Sequence, residues 1–426
     1  MALAQQHHLV VIGGGFGGLQ AVKALKGAGL RITLIDQRNY HLFQPLLYQV
    51  ATTILAPSEI AWPIRNLMAR RADVTTLLAR VNGIDTDRRL VIIDDGAQIG
   101  YDTLVIATGA AHAYFGHSEW ASHAPSLKTI EDATRIRNRI LLAFERAERE
   151  TDPEVRQSLL TFGVIGGGPT GVELAGMLAD LARNMIRNEF RNIDTRQTRI
   201  VLIEAGTRIL SSFPKDLSNY AAHALERRGV ELRFGAPVTN CTKEGVQLGD
   251  DFLPCRTLIW AAGVAASPAA KWLGVTGDRA GRVPVQPDLT LEGKPEIFVI
   301  GDTAAVLQEN GDPVPGVAPA AKQQGSHVAS LIRARLSGQA TTVPFRYRHQ
   351  GDLATIGKRA AVVKIGELRL KGALAWWIWG IAHIFFLIGT RSRAAVAWNW
   401  LWTYLRGQNS GRLIAHPKPG DEPAID

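Results

Sequence analysis

Short apolar runs alternate along this chain with longer stretches whose apolar positions recur every three or four residues. The run Leu9-Val10-Val11-Ile12 is apolar throughout, as in a parallel strand buried on both faces. The glycine cluster Gly13-Gly14-Gly15-Phe16-Gly17-Gly18 follows it. Residues 19–28 place Ala21, Val22, Ala24 and Leu25 at helical spacing, and the stretch from Arg31 to Ile35 reads as a second strand that ends at Asp36. Strand, glycine turn, helix and strand make a βαβ unit. The same order returns later. Thr161 to Ile165 is a strand, Gly166-Gly167-Gly168-Pro169-Thr170-Gly171 is a glycine turn, a helix starts near Val172, and a strand from Ile200 to Ile203 ends at Glu204. The chain carries this unit twice.

Three further apolar runs stop at a small residue, where the backbone can turn tightly against a ligand. They are Leu104-Val105-Ile106-Ala107-Thr108-Gly109, Leu258-Ile259-Trp260-Ala261-Ala262-Gly263 and Ile297-Phe298-Val299-Ile300-Gly301-Asp302. Past residue 340 the character changes. Residues 364–412 hold seven basic residues (Lys364, Arg369, Lys371, Arg391, Arg393, Arg406, Arg412) and one acid, Glu367, with six of the ten tryptophans. The last stretch, His416 to Asp426, is rich in proline and charge and reads as a loose tail.

At 426 residues the chain is too long for one ordinary core, and 46% hydrophobic with 20% charged residues describes a folded protein. A formal charge of +9 suits dinucleotide phosphates, lipid headgroups or nucleic acid. Much of it sits among tryptophans in apolar sequence, which favours lipid over nucleic acid. The two cysteines, Cys241 and Cys255, have neither Cys-x-x-Cys nor zinc spacing, so we read two reduced thiols and no metal site. Met1 to His8 has neither the basic nor the apolar region of a signal peptide.

The glycines lie where phosphate binding needs them. In Gly13-x-Gly15-x-x-Gly18 the first permits the tight turn, the second lets backbone N–H groups approach a diphosphate, and the third lets helix and strand pack closely. Phe16 is placed in this loop as a binding residue, and the N-terminus of the helix that follows adds positive potential. Asp36 lies 23 positions after Gly13, close to the spacing for an acid on a ribose hydroxyl. A glycine turn without a ligand is the plainer alternative. Thr108-Gly109 and Asp302 favour FAD here, because a carboxylate at the end of a buried strand can accept a ribityl hydroxyl. Asp302 can instead cap a helix starting near Thr303.

Gly166-x-Gly168-x-x-Gly171 repeats the arrangement for a second nucleotide. Glu204 would accept a ribose 2′-hydroxyl and repel a 2′-phosphate, so NADH is preferred over NADPH. The gap from Gly166 to Glu204 is 38 positions, longer than usual, with the polar stretch Arg183 to Thr198 as the excess. Glu173 has two readings: the acid of a Thr170-x-x-Glu173 capping box, or a carboxylate beside the nicotinamide. Gly263 ends a strand on the same lobe and is placed at the NADH site.

Taken together, these motifs resemble the two-dinucleotide flavoprotein fold of pyridine nucleotide–disulfide oxidoreductases. The stretch from Asn39 to Ala51, Gly168-Pro169-Thr170-Gly171-Val172-Glu173, and Val314 to Ala318 leading to Gln323-Gln324-Gly325 resemble type II, non-proton-pumping NADH:quinone oxidoreductases. That resemblance spans roughly residues 8–405. It implies noncovalent FAD, oxidation of NADH, a membrane quinone as acceptor, attachment to one leaflet and a homodimer. The family's Ala-Gln-x-Ala-x-Gln near the quinone reads Ala318-Pro319-Ala320-Ala321-Lys322-Gln323 here, so only Gln323 carries over, with Glu173 as the second candidate catalytic residue.

Ala373 to Ile388 is a 16-residue apolar run broken by His383, to which no role is assigned. As a helix it is about 24 Å long, shorter than the roughly 30 Å core of a bilayer. With its tryptophans and flanking arginines it reads as an interfacial anchor on the anionic cytoplasmic face of the inner (plasma) membrane. A core or dimer helix is the alternative. The expected architecture is α/β: two Rossmann-like dinucleotide-binding domains plus a C-terminal membrane-associating helical segment. FAD takes residues 1–125 and 286–340, NADH residues 126–285, and the anchor residues 341–426. Two other functions are the alternatives. A sulfide:quinone oxidoreductase needs cysteines at the flavin, which two distant thiols do not provide. A redox-sensing flavoprotein would bind NADH with little turnover.

Overall fold

A computed structural model describes residues 6–339, 342–406 and 411–414, with the side chains of 404–406 left out; the tail from His416 lies outside the described residues. In chain order the elements that matter begin with β1 (His8–Ile12), α1 (Phe16–Ala24), β2 (Arg31–Asp36), β3 (Val74–Leu78) and β4 (Thr103–Ile106). Next come α2 (Ile130–Arg149), β5 (Thr161–Ile165), α3 (Pro169–Asp180), β6 (Arg199–Glu204), β7 (Val230–Phe234) and β8 (Thr257–Trp260). The rest are β9 (Thr290–Leu291), β10 (Lys294–Val299), α4 (Ala318–Leu336), β11 (Asp352–Gly357), β12 (Ala360–Ile365), β13 (Leu368–Gly372), α5 (Ala373–Phe386) and α6 (Thr390–Arg406).

The chain forms two compact units. The first comprises Met1–Leu42, Ala61–Ala111 and Val264–Gln350; the second comprises Phe43–Ile60, His112–Gly263 and Gly351–Asp426. The first unit is built on a six-stranded sheet in the order β9-β10-β4-β1-β2-β3, parallel except for its β9 edge. All five residues of β1 are buried, which is why it is apolar from Leu9 to Ile12 instead of alternating; the buried His8 at its start pairs its Nε2 with Thr33 Oγ1 at 2.8 Å. Helix α1 packs on α4 through glycine: a Cβ at Gly325 would stand 2.3 Å from the Gly17 carbonyl oxygen, so nothing larger fits without moving a helix.

The second unit holds a four-stranded parallel sheet, β7-β6-β5-β8, and an antiparallel sheet, β11-β12-β13. Helix α3 lies against β11 so closely that a Cβ at Gly176 would come within 2.2 Å of the Ile356 carbonyl oxygen. Both cysteines are free and sit in this unit's core, and burial pushes each thiol up to about 12.

Helices α5 and α6 close the second unit with one face only. Trp379 is buried and stacks on Trp400 with ring centroids 5.2 Å apart. Trp400 donates its indole N–H to Gln49 Oε1 at 2.7 Å, and Asn399 bonds Glu59. On the other side of α5, Leu374, Trp377, Ile381 and Phe385 are each more than 60% exposed, a stripe at helical spacing. Arg393 caps the end of α5 by donating to the carbonyls of Phe385 and Leu387. No helix among the described residues is long and apolar enough to cross a membrane. One face of this segment is therefore core, and the other is exposed.

Candidate nucleotide and flavin sites

Gly13 sits at φ +104°, and a Cβ there would be 2.3 Å from the Ala107 carbonyl oxygen. Gly18 has no more room, since its Cβ would be 2.0 Å from the Gly13 carbonyl oxygen. Gly15 differs. It is the N-cap of α1 at φ −72°, and a Cβ built on it meets no heavy atom within 4 Å. Two glycines are thus required by the fold, while the third faces open space beside the uncapped N–H groups of a helix start, the arrangement a diphosphate occupies. Asp36 secures the loop: Oδ2 accepts the Gly14 N–H at 2.6 Å and Oδ1 the Arg38 N–H at 2.7 Å. Burial pushes its carboxyl up, against the pull of those two N–H donors.

His41 contributes from beneath. Its Nδ1 is 2.9 Å from the Gly14 carbonyl oxygen, and burial lowers its pKa to about 4. A carbonyl can only accept, so the neutral ring carries its proton on Nδ1. The sequence offered no signal for His41 beyond its place in the stretch after Asp36.

The second loop reproduces the first. Gly166 has φ +111° with the Ala261 carbonyl oxygen 2.8 Å from its would-be Cβ, and the Cβ of Gly171 would be 1.8 Å from the Gly166 carbonyl oxygen. Gly168, the N-cap of α3, has φ −71° and open space around its Cβ. Glu204 Oε2 accepts the Gly167 N–H at 2.6 Å and Oε1 the Gly206 N–H at 2.7 Å, as Asp36 does in its own loop. The long gap before Glu204 is absorbed by a π-helical extension of α3 (Leu181–Met185), irregular chain and a short turn of helix (Thr195–Gln197), so it leaves the carboxylate in register.

At the end of β4, Thr108 Oγ1 lies 2.5 Å from Ser267 Oγ and 3.1 Å from Thr303 Oγ1, and Gly109 turns at φ +70°. Asp302, after β10, sits in a single turn of 3-10 helix (Gly301–Thr303) and lines an open cavity; extended chain follows at Ala304, so no helix starts near Thr303 for it to cap. Ala110, Arg282, Gly316 and Gln324 share that cavity, with Ala320 and Ala321 from the first turn of α4. The N-cap of α4, Val317, makes no side-chain cap, so its positive end faces the cavity uncompensated. Pro319 falls within the first two positions of α4, where a missing N–H costs nothing.

The two adjacent glutamines part company. Gln324 is buried, and its Oε1 accepts the Gly301 N–H at 2.5 Å, which steadies the residue before Asp302. Gln323 grips the backbone of Arg348, donating to its carbonyl and accepting its N–H, both at 2.9 Å. That leaves one amide proton of Gln323 for another acceptor.

Glu173 lies in α3, but no capping box forms: the N-cap is Gly168, without a side-chain cap, and Thr170 is exposed. The box reading fails because Pro169 already starts the helix, placing Thr170 inside it. A complete capping box occurs instead at Thr129 and Asp132, before α2. Glu173 is buried, and its Oε1 accepts the Thr355 N–H of β11 at a long 3.4 Å. Burial therefore holds its carboxyl well above the ordinary range. Thr355, 182 positions away, had no sequence signal. Gly263, after β8, turns at φ +78° beneath the ring of Phe115.

Residues 7–325 match the family model for pyridine nucleotide-disulphide oxidoreductase, and residues 349–409 match that for the NDH2 C-terminal domain. The chain is 43% identical over 421 residues to the type II NADH:quinone oxidoreductase Ndh of Mycobacterium tuberculosis, covering 95% of this chain and 90% of the relative. It is 41% identical to NdhA of the same organism, covering 96% of this chain and 90% of that one. The structure of NDH2 from Plasmodium falciparum in complex with NADH shares the fold, with a TM-score of 0.87 at 20% identity over 97% of this chain and all of that one. The sulfide:quinone oxidoreductase of Aquifex aeolicus does so less closely, with a TM-score of 0.73 at 19% identity over 96% of both chains.

Proposed function

The chain belongs to the pyridine nucleotide-disulphide oxidoreductase family, and within it to the type II NADH:quinone oxidoreductases; from that premise we infer that it oxidises NADH through bound FAD and reduces a membrane quinone without pumping protons. The observation that carries this reading to the residues is the pair of matching glycine loops. Each has one glycine whose side-chain space is empty and one carboxylate held by loop N–H groups. When bound, FAD supplies the two-electron chemistry, taking a hydride from NADH and returning electrons to the quinone.

The residues present fit that cofactor. In the first unit Gly13, Gly15, Phe16 and Gly18 receive its diphosphate, Asp36 its adenosine ribose, and Asp302, with Thr108 and Gly109 nearby, its ribityl chain. In the second unit Gly166, Gly168 and Gly171 receive the NADH diphosphate, Glu204 the ribose, and Gly263 the nicotinamide side. Gln323 offers its remaining amide proton to a quinone carbonyl. The exposed stripe of α5 lies on the membrane surface, and the basic residues around it favour an anionic leaflet on the cytoplasmic side. The active assembly is a homodimer, as the family likeness implies. The sulfide:quinone alternative finds no support in two buried thiols held almost wholly protonated at neutral pH.

The test is flavin-loaded protein assayed with a short-chain quinone. Turnover with NADH is expected and turnover with NADPH is expected to be poor; a flavoprotein that binds NADH without turnover would defeat the reading. Glu204→Gln should raise the NADPH-to-NADH ratio of kcat/KM about ten-fold, the equivalent of about 1.4 kcal/mol of relieved repulsion. The KM for NADH should rise too, because both carboxylate oxygens accept loop N–H groups and an amide can serve only one of them. An unchanged ratio would remove Glu204 from the ribose.

Glu173 gives a pH-dependent expectation. The unfolded chain loses this proton from its ordinary carboxyl pKa upward, while the folded protein keeps it. Folded stability from this group is therefore complete at low pH and falls as pH climbs toward the raised folded pKa, by up to about 1.4 kcal/mol per pH unit. Glu173→Gln removes that dependence. The melting-temperature difference between variant and wild type should be smallest near pH 4 and shift in favour of the variant toward pH 7. A difference constant with pH would mean the carboxyl is ionised in the fold.

A further inference from the structure

Phe115 occupies a backbone conformation that its side chain disfavours. The turn Tyr114-Phe115-Gly116-His117 closes with the His117 N–H on the Tyr114 carbonyl at 3.0 Å, and both central residues have positive φ, +51° at Phe115 and +98° at Gly116. Turns of this kind take glycine, asparagine or aspartate at those positions, and a bulky residue there is strained. Phe115 is the one aromatic among the described non-glycine residues with left-handed φ.

The strain is not relieved by burial, because the ring is 69% exposed. The chain around it is pinned. Trp260 donates its indole N–H to the Ala113 carbonyl at 3.0 Å, Tyr114 donates its hydroxyl to the Ala124 carbonyl at 2.9 Å, and the Tyr114 and Trp260 rings lie 5.1 Å apart. The tip of the Phe115 ring points at Gly263, where an added Cβ would meet its Cζ at 2.5 Å. Strain held in place by its surroundings, with only a tilted contact to the Trp260 ring at 6.2 Å between centroids as packing return, points to a ligand.

The sheet order says which part of the ligand. Ligands of such sheets lie beyond the carboxyl ends of the strands. In β7-β6-β5-β8, Glu204 ends β6, the Gly166–Gly171 loop follows β5, and Gly263 follows β8. A dinucleotide with its adenosine ribose at Glu204 and its diphosphate at Gly168 extends its second nucleoside over the end of β8, against Phe115.

We propose that Phe115 is the side chain that contacts the nicotinamide half of NADH, its ring forming with Gly263 the wall against which that half packs. This rests on the reading of the second unit as the NADH lobe. The strain is tolerated because the turn aims an aromatic ring at the ligand, and aromatic contacts of this kind are selective for a flat partner.

The experiment separates the nicotinamide from the rest of the dinucleotide. Phe115→Ala, Phe115→Asn and Phe115→Tyr are compared with wild type, all flavin-loaded. KM for NADH is measured, with inhibition constants for NAD+ and for ADP-ribose, which lacks the nicotinamide. In Phe115→Ala and Phe115→Asn, KM for NADH and Ki for NAD+ should rise about five- to ten-fold, the scale of one lost aromatic contact. Ki for ADP-ribose should stay within a factor of about two of wild type, a negligible energy on that scale. Phe115→Tyr, which keeps the ring, should stay near wild type. Phe115→Asn suits the turn and should melt no lower than wild type, so its weaker binding would not come from unfolding. The proposal is overturned if ADP-ribose and NAD+ weaken in the same proportion, or if neither weakens. Wild-type inhibition by ADP-ribose checks the NADH lobe separately: its absence would indict the lobe, not Phe115.

Discussion

Gly15→Val is expected to fold and to purify without flavin, while Gly168→Val is expected to keep its flavin and lose NADH-dependent turnover. The structure makes this pair informative. A Cβ at either position meets no protein atom within 4 Å, and φ near −70° is ordinary for valine. The protein itself therefore has no reason to reject the side chain; only a diphosphate approaching the helix start does. The loss should exceed about 100-fold in affinity in each case, the equivalent of about 2.7 kcal/mol. Flavin absorbance after purification reads the first variant, and flavin reduction by NADH reads the second. Gly13, Gly18, Gly166 and Gly171 cannot serve this purpose. Their would-be Cβ atoms fall 1.8 to 2.8 Å from backbone atoms, so substitution there disrupts the loop with or without a ligand. The flavin-free Gly15→Val protein should melt below wild type through loss of a stabilising ligand. Full flavin content in Gly15→Val would remove FAD from the first loop, and unchanged NADH turnover in Gly168→Val would remove NADH from the second.

Replacing Leu374, Trp377, Ile381 and Phe385 together by serine should release the protein from membranes without emptying its sites. At about 1.5 kcal/mol for each apolar side chain withdrawn from lipid, the four amount to about 6 kcal/mol, so partition should fall more than about a thousand-fold. The variant should retain flavin and reduce ferricyanide with NADH, while reduction of a long-chain quinone in membranes should drop sharply. Sedimentation with vesicles and the two acceptor assays read the outcome. Continued membrane binding by a folded, flavin-loaded variant would place the attachment elsewhere. Truncation before Gly372 is the cruder cut. It removes the buried Trp379 and Trp400 with the indole bond to Gln49, so it should lower stability as well as membrane binding. High salt should loosen wild type without stripping it, since salt screens the basic residues and leaves the apolar stripe untouched.

Much of the fold was legible because its constraints are local. A strand buried on both faces must be largely apolar, and β1 from Leu9 to Ile12 and β5 from Phe162 to Ile165 carry no polar side chain. A turn with φ above +100° and no space for a Cβ admits glycine alone, so Gly13 and Gly166 announce themselves, with Gly18 and Gly171 at the close approach beyond them. The acids ending β2 and β6 follow from strand length and position. The 38-position gap before Glu204 was the weak point of that reading, and only the fold shows the excess leaving the sheet before β6 and returning in register.

What the sequence by itself determined, then, is the class of the protein and the two nucleotide loops, because backbone geometry and strand burial write themselves into residue type at fixed spacing. The tertiary structure decided how individual side chains are used. Glu173 is a buried acid whose pKa is raised because β11 covers it from 182 positions away. Gln323 holds Arg348 while Gln324 holds Gly301, although the two are neighbours in the chain. Helix α5 divides into a buried and an exposed face that its nearly uniform apolar sequence does not distinguish, and Phe115 meets Gly263 across 148 positions. Burial, protonation and partner choice depend on atoms brought together from distant parts of the chain, and no local periodicity encodes which atoms those will be.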